Sequence, residues 1–346
     1  GRPIRPLPPH PDGHPESREV TILVSIQQPV AAWQIPEAAV AHLVARCPQH
    51  TFLYATTPEA RAAGLGTCDV AFTWVMSPAE LATAPRLTWL HSSAVAVGTL
   101  CLAELAARGV VVSNSRQIQS TPIAEHVFAS LLALTRRLPL AFERQQQAAW
   151  AQNEFVGAQL PTVLRGQCLG VVGLGSIGAE VARLGAAFGM RVIGVRRDAS
   201  RGAPPGVARV WGADGLDALL AEADVVVVAA PFTAETDALL DRARIARMKP
   251  GARLVNVARG QLVDSDALVD ALTSGHLGGA ALDVFHDEPL PASHPLWRAP
   301  NALLTPHTSG FRPNHWMDVV DLFVENIGRR DAGLPVLWQV DAARGY

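Results

Sequence analysis

"CLGVVGLGSIG", residues Cys168 to Gly178, decides the reading of this 346-residue chain. An apolar run of buried-strand type breaks at Gly173, and the helical stretch "AEVARLGAAFG" (179–189) follows at once. In that strand–turn–helix setting, Gly173-x-Gly175-x-x-Gly178 reads as a dinucleotide turn; alone, the six-residue pattern says little. Gly173 permits the tight bend, Gly175 lets backbone approach a pyrophosphate, and Gly178 lets helix and strand pack closely. Amides near Ser176 and Ile177, at the helix N-terminus, then meet the phosphate charge.

The next strand, "RVIGVRRD" (191–198), ends in the opposite charge to the one expected. About 20 residues beyond the glycines, this fold commonly carries an acid that holds a ribose hydroxyl. Arg196 stands there instead, with Arg197 beside it and Ser200 and Arg201 in the following loop. A guanidinium pairs bidentately with a 2′-phosphate, which an Asp would repel. The expected cofactor is NADP(H), with NAD(H) as the alternative if the arginines are ordinary surface charges.

Working outward, strands and helices alternate almost throughout. "VTILVSI" (20–26), "TFLYA" (51–55), "DVAFTWV" (69–75), "LTWLHS" (87–92) and "GVVVSN" (109–114) read as strands, with helical spacing over 36–47 and 99–108. A second series follows: 168–175, 191–197, "ADVVVVAAP" (223–231), "ARLVNVA" (252–258), "GAALDVF" (279–285) and "NALLTPH" (301–307). Between the two series a long helix begins near "STPIAEHVF". Ser120 or Thr121 is its expected cap, Pro122 and Glu125 suit its first turns, and its length reads as a connector between domains. The fold class is α/β, with two doubly wound parallel-sheet domains. A last helix over 313–330 is expected to pack back on the first domain. That makes residues 19–116 and 309–346 one flavodoxin-like substrate domain, with a Rossmann dinucleotide domain, 117–308, inserted in it. Residues 1–18, "GRPIRPLPPHPDGHPESR", are dense in proline and read as an extended, poorly ordered tail.

Composition excludes several classes. Apolar residues make up 49% and charged ones 17%, which suits a soluble, well-packed protein. The net charge of −2 gives no reason to expect nucleic acid or an anionic membrane. No apolar run is long enough to span a bilayer, and the N-terminal residues do not form a secretory signal. Lys249 is the only lysine, a skew better put down to base composition than to function. Cys47, Cys68, Cys101 and Cys168 show neither metal-ligand spacing nor a disulfide pattern, so a reduced, cytoplasmic location is expected.

Three polar points punctuate the later strands: Arg259 after "VNVA", Glu288 in the loop after "ALDVF", and His307 closing "LLTPH". Residues at the carboxyl ends of parallel strands line the ligand crevice of an open α/β sheet. Arginine, carboxylate and histidine together suit hydride exchange between a nicotinamide and a 2-oxo acid. Arginine binds the substrate carboxylate and polarises the carbonyl, histidine moves the hydroxyl proton, and the acid orients the ring and supports its protonated form. His286, Asp287, Glu288 and His294 lie close together, yet they form no convincing ligand framework, so no metal is expected.

"GLGSIG", "NVARGQLVDSDAL", "ALDVFHDEPLPASHPLW", "PNALLTPHTSG" and the earlier "VSNSRQIQSTPIAEHVFASLLAL" closely resemble the D-isomer-specific 2-hydroxyacid dehydrogenases. The resemblance covers nearly the whole chain apart from the proline-rich tail. It implies Arg259, Glu288 and His307 as the catalytic trio and Asp283 at the nicotinamide carboxamide. Ala230, Pro231, Ala258, His307, Ser309 and Gly310 complete the expected cofactor set. It also implies that backbone amides of "SSAVAVG" (92–98), including Ala94, Val95, Ala96 and Val97, bind the substrate carboxylate. A homodimer joined between nucleotide domains, with a hinge that closes the cleft, is implied as well. The chain departs from the family pattern at Arg196 and at Ala96, where a glycine is usual and a Cβ narrows the loop or alters a positive-φ turn. Phe72, Thr73, Trp74 and Met76 are candidates to line the substrate pocket; Trp150 and Trp316 are further ones, Trp150 as a contact to a neighbouring subunit.

The function expected from this is NADPH-preferring reduction of small 2-oxo acids, of the glyoxylate or hydroxypyruvate type, to D-2-hydroxy acids. No additional basic cluster marks the first domain, which argues against phosphorylated substrates. Two alternatives remain. Formate dehydrogenase shares the fold but pairs its histidine with a neutral amide, against which Glu288 argues. A non-catalytic, nucleotide-sensing corepressor of the same fold can retain the trio.

Overall fold

A computed structural model describes residues 19–345; the expected tail, 1–18, lies outside them. The first five strands are β1 (Thr21–Ser25), β2 (Thr51–Tyr54), β3 (Val70–Thr73), β4 (Trp89–Ser92) and β5 (Val111–Asn114). They form a parallel sheet in the order β2-β1-β3-β4-β5, the flavodoxin-like arrangement. The second sheet is built from β6 (Cys168–Val172), β7 (Arg191–Val195), β8 (Val207–Trp211), β9 (Val225–Val228), β10 (Arg253–Asn256), β11 (Gly279–Leu282) and β12 (Ala302–Leu304). Its order, β12-β11-β10-β9-β6-β7-β8, reverses direction between β6 and β9, as in a Rossmann sheet. Strands such as β9, four buried valines in a row, are apolar on both faces because helices cover both sides of the sheet. β8 was not foreseen: it is a half-exposed edge strand with Arg209 at its centre, and it lacks the apolar density of the others.

The chain forms two compact units. Among the described residues, one contains 19–115 together with 314–345, and the other spans Arg116–Pro313. Three expectations change here. The long helix, Ser120–Thr135, is not a connector. It belongs wholly to the second unit, where Ile123, Val127, Phe128, Leu131 and Leu134 pack with Leu169, Val181 and Ala182. Each such burial stabilises by roughly 1.5–3 kcal/mol. Its N-cap is Gln119, without a side-chain cap bond, rather than Ser120 or Thr121. The return to the first unit comes at 314, not 309, because the amides of Thr308 and Ser309 are tied to Asp283 at the end of β11.

In the first unit the returning helix, His315–Asp331, buries Val319, Val320, Phe323 and Ile327. Phe323 stacks on Phe72 with ring centroids 4.4 Å apart and on His91 at 5.1 Å. His91 is fully buried, and its Nδ1 lies 2.7 Å from Ser113 Oγ.

Burial pushes the His91 pKa down from 6.5 to about 3. Above pH 6.5 the ring is neutral in both folded and unfolded chains, so stability is unaffected. Below it the unfolded chain takes up a proton that the folded one refuses, and stability falls until about pH 3. The expected slope from this residue is about 1.4 kcal/mol per pH unit. Urea unfolding of wild type and His91→Gln between pH 7 and 4.5 checks it, since the variant should lose about one proton's worth of slope. Equal slopes would remove His91 from the acid sensitivity.

Candidate active site

Sheet topology places the glycine turn at the reversal point, after β6. Gly173 has φ +98°, and a Cβ on it would lie 2.6 Å from the Ala230 backbone after β9. A Cβ on Gly178 would collide with the Gly173 carbonyl. Between these two contacts Gly175 opens onto free space at the N-cap of the helix Ser176–Ala187. First-turn amides such as those of Ser176 and Ile177 have no intrahelical acceptor. The result is an open cradle with donors behind it, flanked by Ala230 and exposed Pro231, and it fits a dinucleotide pyrophosphate.

The four polar groups after β7 divide unequally. Arg197 pairs with Glu235 at 3.0 Å, Arg201 with Asp198 at 3.5 Å, and Ser200 hydrogen-bonds Asp198. The Ser200 bonds hold the Asp198 carboxyl below the usual carboxylate range, helped by the nearby charges of Arg201 and Arg196. Arg196 itself donates to the Gly202 carbonyl at 3.2 Å and, among the described residues, has no carboxylate within ion-pair distance. It is the one arginine of the group without an ion pair among the described residues.

Arg259, Glu288 and His307 all lie beyond the C-terminal ends of neighbouring strands, β10, β11 and β12. His307 Nδ1 and Glu288 Oε2 are 2.7 Å apart, and Glu288 Oε1 accepts from the Phe285 amide at 3.0 Å. Burial works against the Glu288 charge, but these two bonds, with the charges of His307 and Arg259, hold the carboxyl below its usual range. Burial also depresses the Arg259 guanidinium, an effect that Glu288 partly offsets. The Arg259 loop is fixed by Asn256, whose side chain donates to the Arg259 carbonyl and accepts from the Ala258 amide. A Cβ at Gly260 would overlap the Phe285–His286 backbone, so the loops carrying Arg259 and Glu288 touch main chain to main chain.

His307 follows Pro306 in left-handed backbone, φ +54°, which is strained for a residue with a side chain. Asp283 holds this turn: it is buried, and it accepts from the Thr305 hydroxyl (2.6 Å), the Thr308 amide (2.9 Å) and the Ser309 amide (2.9 Å). Ser309 and Gly310, expected beside the cofactor, are buried in the same turn. Asn256 and Thr305 escaped notice in the sequence. Only a polar residue closing an otherwise apolar strand, in "LVN" and in "LLT", hinted at them. His286 and His294 use their rings on Asp287 and the Leu296 amide, and no group of three or more metal-capable side chains occurs among the described residues.

In the first unit, the loop 92–98 follows β4. The Ala94 amide is taken by Ser92 Oγ, whereas those of Val95, Ala96 and Val97 find no acceptor among the described residues. Ala96 is exposed and does not have a positive φ, so the feared distortion is absent. Met76 is buried, bridged to Leu100 and packed in the core, and Phe72, Thr73 and Trp316 are buried too. Trp74 is half-buried and meets Trp33 edge-on at 5.5 Å. Trp150 is 92% exposed.

Comparison with known proteins agrees with this geometry. The family model "D-isomer specific 2-hydroxyacid dehydrogenase, NAD binding domain" matches residues 128–309. D-3-phosphoglycerate dehydrogenase of Mycobacterium bovis is 38% identical over 262 residues, covering 75% of this chain and 47% of that protein. The chain thus spans about half the length of the curated relatives it matches first. A D-isomer specific 2-hydroxyacid dehydrogenase family protein from Aeromonas salmonicida is similar in structure, with TM-score 0.78 and 34% identity over 94% of this chain and 99% of that one. A D-isomer specific 2-hydroxyacid dehydrogenase from Xanthobacter autotrophicus Py2, in complex with NADPH and MES, gives TM-score 0.79 and 32% identity over 94% and 100%. With the glycine turn, the strand-end trio and similarity along nearly the whole fold in agreement, this chain belongs to the D-isomer specific 2-hydroxyacid dehydrogenase family.

Proposed function

We propose that the chain reduces small 2-oxo acids, of the glyoxylate or hydroxypyruvate type, to D-2-hydroxy acids with a preference for NADPH. The observation that carries the chemistry is the 2.7 Å bond between His307 and Glu288. An ionised carboxylate can only accept, so Nδ1 carries the proton and Nε2 is the atom free to give or take one. A bound reduced nicotinamide supplies hydride to the carbonyl carbon. His307 delivers the proton to the oxygen, and the Glu288 charge stabilises the imidazolium before that transfer. Arg259, desolvated and held by Asn256, binds the substrate carboxylate and opposes the charge developing on oxygen. A charged acid behind the imidazole, rather than an amide, disfavours the formate dehydrogenase alternative.

Turnover of glyoxylate and hydroxypyruvate with NADPH checks the assignment. His307→Ala and Glu288→Gln should each lower kcat/KM by on the order of a hundredfold or more. No NADPH oxidation by wild type with any 2-oxo acid would favour the non-catalytic reading.

Arg196 carries the cofactor preference. Arg196→Ala should raise KM for NADPH by on the order of tenfold, the value of one charge-assisted contact, while KM for NADH hardly moves. Equal use of both cofactors by wild type would sink the preference.

The homodimer belongs to the same proposal. Leu138, Phe142, Trp150, Val156, Leu160 and Val163 are all exposed within one 26-residue segment of the second unit, which supports a covered face there. Analytical ultracentrifugation should find a dimer for wild type and a monomer for Leu160→Asp combined with Phe142→Arg. A monomeric wild type would refute it.

A further inference from the structure

The His307 turn is anchored through a side-chain chain that starts on a different element. His126, on the helix Ser120–Thr135, places Nε2 3.1 Å from Thr305 Oγ1 at the end of β12. The Thr305 hydroxyl in turn donates to Asp283 Oδ1 at 2.6 Å. A hydroxyl has one proton to give. Asp283 already accepts backbone amides on both oxygens, so it acts as an acceptor and takes that proton. Thr305 must therefore accept from His126, which fixes the His126 ring with a proton on Nε2. Three donors then converge on Asp283, namely the Thr305 hydroxyl and the two amides that follow His307 in the chain. His126 also lies 3.9 Å from Asp283 Oδ1, and its side chain is one-fifth exposed on a helix whose other face is core.

We propose that His126 and Thr305 are positioning residues for His307. The chain Nε2–H to Oγ1–H to Oδ1 orients the Asp283 carboxylate, and that carboxylate holds Thr308 and Ser309 so that His307 keeps its left-handed backbone and meets Glu288. Without the hydroxyl, Oδ1 loses one of its two donors, and the carboxylate can turn toward the remaining amides. The inference rests on the dehydrogenase reading for its kinetic consequence but not for its geometry.

Two matched pairs test it. Thr305→Val keeps the shape and removes the hydroxyl, while Thr305→Ser keeps the hydroxyl. His126→Phe removes the donor, while His126→Gln offers an amide N–H near the position of Nε2. The Val and Phe variants should lower kcat by about tenfold or more, with KM for the 2-oxo acid little changed, and the Ser and Gln variants should recover most of the loss. In the cofactor-free protein, imidazole NMR should show the His126 proton on Nε2. The His307 ring resonances should move in Thr305→Val and stay in place in Thr305→Ser. Wild-type kcat and unmoved His307 resonances in Thr305→Val and His126→Phe, with only a lower Tm, would overturn the proposal. If Thr305→Val fails to fold, the His126 pair makes the same comparison. If wild type turns over no 2-oxo acid, the functional reading fails while the NMR comparison still decides the positioning role.

Discussion

A carboxylate cannot sit in a protein interior without donors, and Asp283 meets that requirement with a hydroxyl and two amides drawn from one short segment. Much else follows from this. The segment crosses from β12 into the His307 turn, so satisfying the buried charge also fixes a strained backbone that would otherwise relax. It keeps 308–313 with the second unit and moves the return of the chain to 314. A structural demand, the solvation of one buried acid, thereby fixes the backbone that carries the proposed proton donor.

The two arginines of the proposed function sit in contrasting surroundings. Arg259 is desolvated, with Asn256 holding its carbonyl and the Glu288 charge nearby, a setting that would strengthen its pull on an anion. Arg196 stays near solvent at a strand end, and its neighbours Arg197 and Arg201 are already matched to Glu235 and Asp198. A desolvated guanidinium suits a reacting centre, where field strength counts. A half-exposed one suits discrimination between two cofactors that differ by a single phosphate.

Much of this was legible in the sequence, for identifiable reasons. Apolar runs mark most of these strands, so eleven of the twelve described strands could be read directly, and β8 was lost because Arg209 interrupts its short run, VARVW. Glycines whose Cβ would strike backbone, like Gly173, leave a mark at fixed spacing. Side-chain destinations were harder. Met76 and Trp74 both follow β3, yet one is sealed by a bridge to Leu100 and the other stays half-open, and nothing local distinguishes them. The His126–Thr305 contact joins residues 179 apart in sequence, so only the fold could reveal it.

The main-chain contact at Gly260 has a consequence for how this protein can change. The loops bearing Arg259 and Glu288 share a seam with no side chain in it, so neither can slide without dragging the other. On the proposed roles, divergence toward new substrates is therefore denied the simplest route, a gradual shift in spacing between Arg259 and the acid behind His307. What remains adjustable are side chains that the backbone does not enclose, such as Arg196. Reaction geometry is inherited as a rigid whole, and variation is confined to what is bound around it.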